Sequence, residues 1–429
     1  MQIEREKLRR LLLAVACVIA VVLVVRAVRK EEGVIIRNRI FAERLVCGVD
    51  PYHDGLHAPY PLAWGMFHAS LSWMPLPVER AVWALGQVGA LILISWICLA
   101  MLRSRYPPLA DRWEWVVVLA LIFTSRYWIR DTAGGGGNSI LLAMGLAGIY
   151  LHSRRQTIGG AALVGLACAL KLTSLLFLPY FLWRRQWRMA VWSGVFAALL
   201  MLSPALVTGW ERYCEISWRW GMGVLGFLGE QDLGGAGPKF VPFEWMNQSL
   251  RNALFRFCTE IEHPHPFYVT FLRLDPATAT AVARAIQAAL LLGCALVMRR
   301  AAPGRQLASD PARMLAEVAM VYLLMLLLSP ITWRAHHIAE LPAAFLLITQ
   351  VMSTRDESRR HLAGLLVVAF LLGSGMSQEL WGKSMKDLLQ AYYTVTFSCL
   401  LLVAGLSWWM WRHPSGTRQE EIKSSPPDP

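Results

Sequence analysis

Apolar runs long enough to cross a membrane recur from one end of this chain to the other, beginning with LLLAVACVIAVVLVV over residues 11–25. A helix of about 20 such residues spans the roughly 30 Å hydrocarbon layer and satisfies every backbone N–H and C=O internally, which irregular chain in lipid cannot do. Repetition of that pattern dictates an all-α integral membrane protein with many crossings. The 429 residues are 56% hydrophobic, more apolar surface than a single water-facing core could hide.

The formal charge of +13 would suggest nucleic acid in a soluble chain, because clustered Lys and Arg neutralise phosphates. Here the basic residues fall in short links between apolar runs: RSRYPPLADR, HSRRQ, WRRQWR, MRRAAPGR, STRDESRRH and WRHPSGTR. That placement is the positive-inside bias of cytoplasmic loops, so the expected partner is the membrane, with no nucleic acid. Putting each basic link inside gives about twelve transmembrane helices near 10–28, 82–102, 113–128, 138–152, 157–170, 172–184, 188–206, 279–298, 314–330, 335–352, 362–376 and 389–411. Both termini are then cytoplasmic. Residues 1–411 read as a single polytopic domain and 412–429 as a polar, disordered cytoplasmic tail. Two long outer loops, 29–81 and 207–278, are rich in Trp and Tyr and suit helices lying at the headgroup level.

The eight Cys residues occur singly with no C-x-x-C, so neither a structural zinc site nor a disulfide framework is indicated. Cys47, Cys214 and Cys258 fall in the outer loops, where a disulfide is permitted. The N-terminus has a basic start and a long apolar run without a small-residue cleavage pattern, which reads as a retained first helix.

This topology gathers the first loop, SRYWIRDTAGGGGNS, Lys171, WMNQSLRN and SPITWRAHH on one outer face. Ionisable residues at a membrane boundary are functional candidates by default, although Lys171 could equally snorkel to the headgroups. Arg, Lys and His together describe a pocket for a phosphate, and a carboxylate within reach of a hydroxyl would be a general base. The glycine run 134–137 lacks a preceding strand and a following G-K-[ST], so it is no P-loop; close backbone approach and tight helix packing both account for it. No nucleotide motif occurs, so the energy for a transfer would arrive in a lipid-linked donor, with no other cofactor. His336 and His337 are adjacent and lack an H-E-x-x-H context, so no metal site is expected.

The chain resembles glycosyltransferase family 87, the polyprenyl-phosphate-sugar-dependent membrane transferases of the GT-C class that include mannosyltransferases. GVDPYHDGLHAPYPLAWGMFHASLSWMPLP resembles the family's first-loop G-x-D-P-Y and Y-P-P segment, and GGGGNSILLAMGLAGIYLHSRRQTIGGAALVGLACALKLTS its G-Q-x-N helix, basic link and K-x-T-P turn. NQSLRNALFR and LLSPITWRAHHIAELPA resemble its N-Q-S-L and S-P-x-[ST]-W…H segments. The resemblance covers roughly residues 30–350 and implies a GT-C type polytopic helical bundle.

It also implies an inverting transfer of a mannose-like hexose or a pentose from a polyprenyl monophosphate sugar to a lipid or glycan hydroxyl, on the extracytoplasmic face of an inner membrane. An acidic residue early in the first outer loop would be the base. Family members usually carry Asp just after the first helix, whereas this chain reads KEEGVIIRNRIFAERL; Glu32 is then the first choice and Asp50 the second, with Glu31 and Glu32 as a solvated helix end the plain alternative. Lys171, Arg334, His336 and His337 would hold the donor phosphate, and Asn138, Asn247 and Gln248 sugar or acceptor hydroxyls. The family's Gln is lost in GGGGN, and K-x-T-P reads KLTS. A transporter or lipid flippase, and a catalytically inactive family member, are the rival readings.

Overall fold

The computed structural model describes residues 2–52, 60–109, 112–229, 235, 246–260, 270–299 and 310–413. Residues 53–59 of the first-loop motif and the expected tail beyond residue 413 lie outside the described residues. Among the described residues there is no strand, and the chain is an all-α bundle. Among these described residues, six helices are long and apolar enough to cross a membrane, or seven if one bent pair counts as a span.

Helix α1 (Gln2–Arg29) leads through a short bend into α2 (Val34–Val46) and α3 (Leu62–Ser72), both within the first expected outer loop. Helix α4 (Leu76–Leu102) starts six residues before the apolar run beginning at 82, because Pro77 sits in the first turn and Glu79 follows it there. Proline loses no hydrogen bond at a helix start, and a carboxylate is favourable at the positive end of the helix dipole. Next come α5 (Trp113–Phe123), α6 (Ser125–Gly134), α7 (Asn138–Ser153), α8 (Thr157–Leu170), α9 (Phe177–Trp183) and α10 (Trp187–Leu202). The second expected outer loop holds α11 (Ala205–Thr208), α12 (Trp210–Gly229) and α13 (Leu250–Cys258). The chain closes with α14 (Pro276–Arg299), α15 (Pro311–Leu328), α16 (Leu341–Ser353), α17 (Ser358–Leu372), α18 (Gln378–Ala391) and α19 (Thr394–Arg412).

Five expected spans are subdivided. The run 188–206 breaks after Leu202, and the run 389–411 breaks at Tyr393, which is left-handed (φ 56). The run 113–128 breaks at Thr124, whose hydroxyl donates to the Ala120 carbonyl at 3.0 Å and whose backbone leaves helical geometry. The run 172–184 begins as a 3-10 turn, Leu172–Leu176, because Lys171 is extended (φ −148, ψ 115). The run 335–352 likewise opens as a 3-10 turn, Arg334–Glu340, and becomes α-helical only at Leu341, just before Pro342. All eight cysteines are free.

Similar apolar composition serves two environments. Every residue of α15 from Ala312 to Leu327 is buried, and so is every residue of α16 from Leu341 to Gln350, which makes these the axis of the bundle. In α1, by contrast, Leu11, Leu13, Val18 and Val21 are exposed, a surface that only lipid can cover. Packing between α7 and α8 relies on small residues: a Cβ on Gly160 would lie 2.4 Å from the Gly148 carbonyl oxygen.

At the end of the bundle carrying the basic links, α15 is held by charge. Asp310 caps the helix by accepting from the Arg313 N–H at 3.1 Å, and Arg105 reaches Asp310 at 3.3 Å. Inside, Glu317 pairs with Arg313 at 3.2 Å and Arg184 at 3.0 Å and accepts from the Tyr180 hydroxyl at 3.1 Å. Arg313 also donates to the Met410 carbonyl at 2.7 Å, tying α15 to the last helix. Removing one member of a buried pair leaves uncompensated charge, at a cost of about 3–5 kcal/mol. Glu317→Ala is therefore expected to lower the thermal unfolding midpoint of the detergent-purified protein strongly; an unchanged midpoint would show that these charges do not hold the bundle.

Candidate functional site

The opposite end of α15 meets a sharp break between α6 and α7, whose axes differ by 114°. Gly135 makes the turn in the left-handed region (φ +70), where side chains other than glycine are strained. Gly136 leaves room for Asp131, since a Cβ there would lie 2.0 Å from Asp131 Oδ1, and Gly137 makes room for the Trp64 ring. The glycine run is thus a turn closed around a carboxylate. Asp131, 1% exposed, accepts from the Ser139 N–H at 2.9 Å, the Ser139 hydroxyl at 2.8 Å and the Asn138 side-chain amide at 2.7 Å. It stands at the N-terminus of α7, where free N–H groups and the helix dipole favour an anion. Asn138 Oδ1 in turn accepts from Lys171 Nζ at 2.7 Å.

The segment carrying the two histidines is laced down from the second outer loop. Asn247 donates to the Pro330 carbonyl at 2.8 Å and accepts from the Thr332 N–H at 2.9 Å. The Gln248 N–H donates to the Thr332 carbonyl at 2.7 Å, and its side chain donates to the Gln390 carbonyl at 2.9 Å. The 3-10 turn then separates the imidazoles. His336 Nδ1 accepts from the Trp333 N–H at 3.3 Å, which leaves Nε2–H as its donor, and the ring is half-buried within electrostatic reach of Lys171. His337 is fully buried, and its Nδ1 donates to Glu340 Oε1 at 2.6 Å.

A further group of cations lies around Arg334. Arg334 is half-buried and feels the like charges of Arg126 and Arg130, with Asp387 and Glu379 as opposing charges. Arg130 also acts on Lys30 at the end of α1. Like charges held at a membrane boundary lower their energy by sharing an anion.

The two candidate bases are placed differently. Glu32 is exposed and lines a small recess with Lys30, Arg80, Trp83, Thr132 and Gly135, beside the glycine turn. Asp50 is buried, ion-paired with Arg219 of α12, and accepts from the Tyr52 N–H at 2.9 Å, so it joins the two outer-loop regions. Lys171, Asn138 and His336 thus share one neighbourhood, Arg334 lies with Arg126 and Arg130, and Glu32 lines the recess with Lys30. Asn247 and Gln248 spend their amides on protein backbone, and His337 faces its glutamate.

Asp131, Arg126, Arg130 and Glu340 were not singled out by residue type alone. The i, i+4 spacing of Arg126 and Arg130 puts both on one face of α6 and was the available signal. Asp131 and Glu340 carry no local sign of their partners. Among the described residues, His337, Glu340 and Cys399 place possible metal-ligand atoms within 4.8 Å of one another, and these are residue types zinc accepts. In the present geometry the His337–Glu340 hydrogen bond occupies that arrangement.

The family model for glycosyltransferase family 87 matches residues 59–330, more than half of the chain. Comparison with curated proteins returns no match. Among solved structures the chain is similar to ArnT from Cupriavidus metallidurans, crystallised with undecaprenyl phosphate, at 14% identity over 92% of this chain and 77% of that one, with a TM-score of 0.38.

The glycine turn makes a position-specific prediction. Gly136→Ala drives a methyl into Asp131 and is expected to cost about 1–3 kcal/mol through overpacking. Gly134→Ala meets open space and should leave the unfolding midpoint unchanged. Equal effects of the two substitutions in thermal unfolding would refute the fit of the turn around the carboxylate.

Proposed function

This chain belongs to glycosyltransferase family 87, and on that premise we propose that it moves a mannose-like hexose or a pentose from a polyprenyl monophosphate sugar to a lipid or glycan hydroxyl. The protein is a membrane glycosyltransferase; the donor, the extracytoplasmic face of the inner membrane and the residue roles are our reading. One observation carries it. Lys171 stands within electrostatic reach of His336, Arg334 two residues before it lies with Arg126 and Arg130, and Lys30, within reach of Arg130, lines a recess with Glu32.

In this reading the donor phosphate lies among the cations, with its polyprenyl chain in the lipid. The acceptor hydroxyl gives its proton to the Glu32 carboxylate as its oxygen forms a bond to the anomeric carbon. The bond from that carbon to the phosphate oxygen breaks on the opposite face, so configuration inverts and the electron pair leaves with the phosphate. Polyprenyl phosphate departs with one more negative charge than it had as an ester. Arg334, Lys171 and the Nε2–H of His336 are donors that stabilise this charge as it develops, the kind of fixed electrostatic term that most lowers transfer barriers. The charge is neutralised by side chains, so the proposed step uses no metal and no cofactor beyond the lipid-linked sugar.

Roles divide further among the remaining residues. Asp50 is already paired with Arg219, so Glu32 is the better base, and its exposure lets it release the proton to water after each turnover. Asn138 links to Lys171 and belongs to the phosphate side. Asn247 and Gln248 hold the loop that presents His336.

The test is transfer by the purified protein in lipid, with radiolabelled polyprenyl-phosphate sugars and candidate acceptors. Glu32→Gln is expected to lower the turnover number by about 10²–10⁴-fold, the usual contribution of a general base, with little change in donor KM. His336→Ala should raise donor KM. Unchanged turnover in Glu32→Gln would remove Glu32 as base, and absence of transfer from every lipid donor would favour an inactive family member or a transporter.

A further inference from the structure

We propose that Asp131 is a positioning residue which, acting through Asn138, aims the Lys171 ammonium at the donor phosphate; this rests on the phosphate role given to Lys171 above. The relay has a fixed polarity. A carboxylate only accepts hydrogen bonds and an ammonium only donates them, so an amide between the two has one allowed orientation. Asn138 takes it, with its NH₂ on Asp131 Oδ1 at 2.7 Å and its Oδ1 on Lys171 Nζ at 2.7 Å.

The two oxygens of Asp131 divide the work. Oδ2 serves the start of α7, through the Ser139 N–H and hydroxyl. Oδ1 receives the Asn138 side chain, and this is the oxygen for which Gly136 gives up its Cβ, at 2.0 Å. Oδ1 also accepts from the Asn138 N–H at 3.4 Å, longer than the 2.7 Å bond from the Asn138 side chain, so the space cleared by the glycine turn serves both the cap and the link toward Lys171.

Lys171 needs such a link because of its backbone. It stands where α8 ends, in an extended conformation, with a long flexible stem. The hydrogen bond it donates to Asn138 Oδ1 fixes its head within electrostatic reach of His336. In an Asp131→Asn protein, the new side chain must still offer oxygen to the Ser139 N–H, which turns its NH₂ toward Asn138. Asn138 then flips and presents NH₂ to the ammonium, so the tether becomes a repulsion.

The experiment measures binding of undecaprenyl monophosphate, which carries no sugar, to the full-length protein in detergent. Lys171→Ala is expected to raise Kd on the order of tenfold, the scale of a lost hydrogen bond between charged groups. Asp131→Asn and Asn138→Ala should each raise it several-fold. In the Lys171→Ala background neither should add a further loss, a non-additivity that a merely structural role would not produce. Ser139→Ala, which loosens the cap but spares Oδ1, should bind like the parent. Asn138→Ala carries the same test if Asp131→Asn fails to fold, because Asp131 can still cap α7 through Ser139. Unchanged binding in Asp131→Asn and Asn138→Ala, or losses that persist in full without Lys171, would overturn the relay while leaving Lys171 in place. Unchanged binding in Lys171→Ala would instead remove the phosphate role of Lys171, and the relay with it.

Discussion

The hydrogen bonds that Asp131 accepts from Ser139 and Asn138 are the interaction around which this end of the molecule is built. A carboxylate buried to 1% exposure is costly unless it is fully hydrogen-bonded, and the start of α7 supplies the donors. Meeting that demand requires the chain to turn back on itself between α6 and α7. The four glycines allow it, and the 114° break follows. The break directs α6, with Arg126 and Arg130, across the end of the bundle toward Arg334 while α7 runs into the core.

A second buried charge cluster stands at the far end of α15. Glu317 with Arg313 and Arg184 satisfies charges that would otherwise face hydrocarbon, and the Arg313 link to Met410 closes the bundle between its last helix and its axis. The two ends therefore solve the same problem differently. At the Glu317 end, opposite charges are paired within the protein, and the result is structural. At the Asp131 end, the carboxylate is taken up by the start of α7 and the Asn138 side chain, and Arg334, Arg126, Arg130 and Lys30 are left with an excess of like charge. A surplus of positive charge beside a lipid surface is an arrangement that an anionic headgroup completes.

Much of the fold was legible because lipid imposes a simple rule on sequence. The long apolar runs became helices, and Arg105 and Arg184, from two of the basic links, pair with acids at the Glu317 end of α15. The errors were local. Thr124 split one run, and two others opened as 3-10 turns, at Leu172 beside an extended lysine and at Arg334 ahead of Pro342. Hydropathy averages over about twenty residues and cannot see a single hydroxyl that competes for a backbone carbonyl. The site was legible in part. Lys171, Arg334 and His336 stood out as candidates because charge at a membrane boundary is rare, whereas Arg126, Arg130 and Asp131 sit in a segment whose polar character was visible and whose partners were not.

The sequence by itself determined the class of the molecule, a multi-helix membrane protein, and the residue types available at its polar end. It did so because burial in lipid and the sign of flanking charges act on each segment independently of the others. Only the tertiary structure decided which of those residues meet. It separated His336 from its neighbour by giving their Nδ1 atoms opposite roles, acceptor from the Trp333 N–H in one and donor to Glu340 in the other, committed Asp50 to Arg219, spent Asn247 and Gln248 on backbone, and joined Asp131 to Lys171 through Asn138. Hydrogen bonds act over about 3 Å and depend on direction, so they are set by how distant helices approach one another, which no local stretch of sequence records.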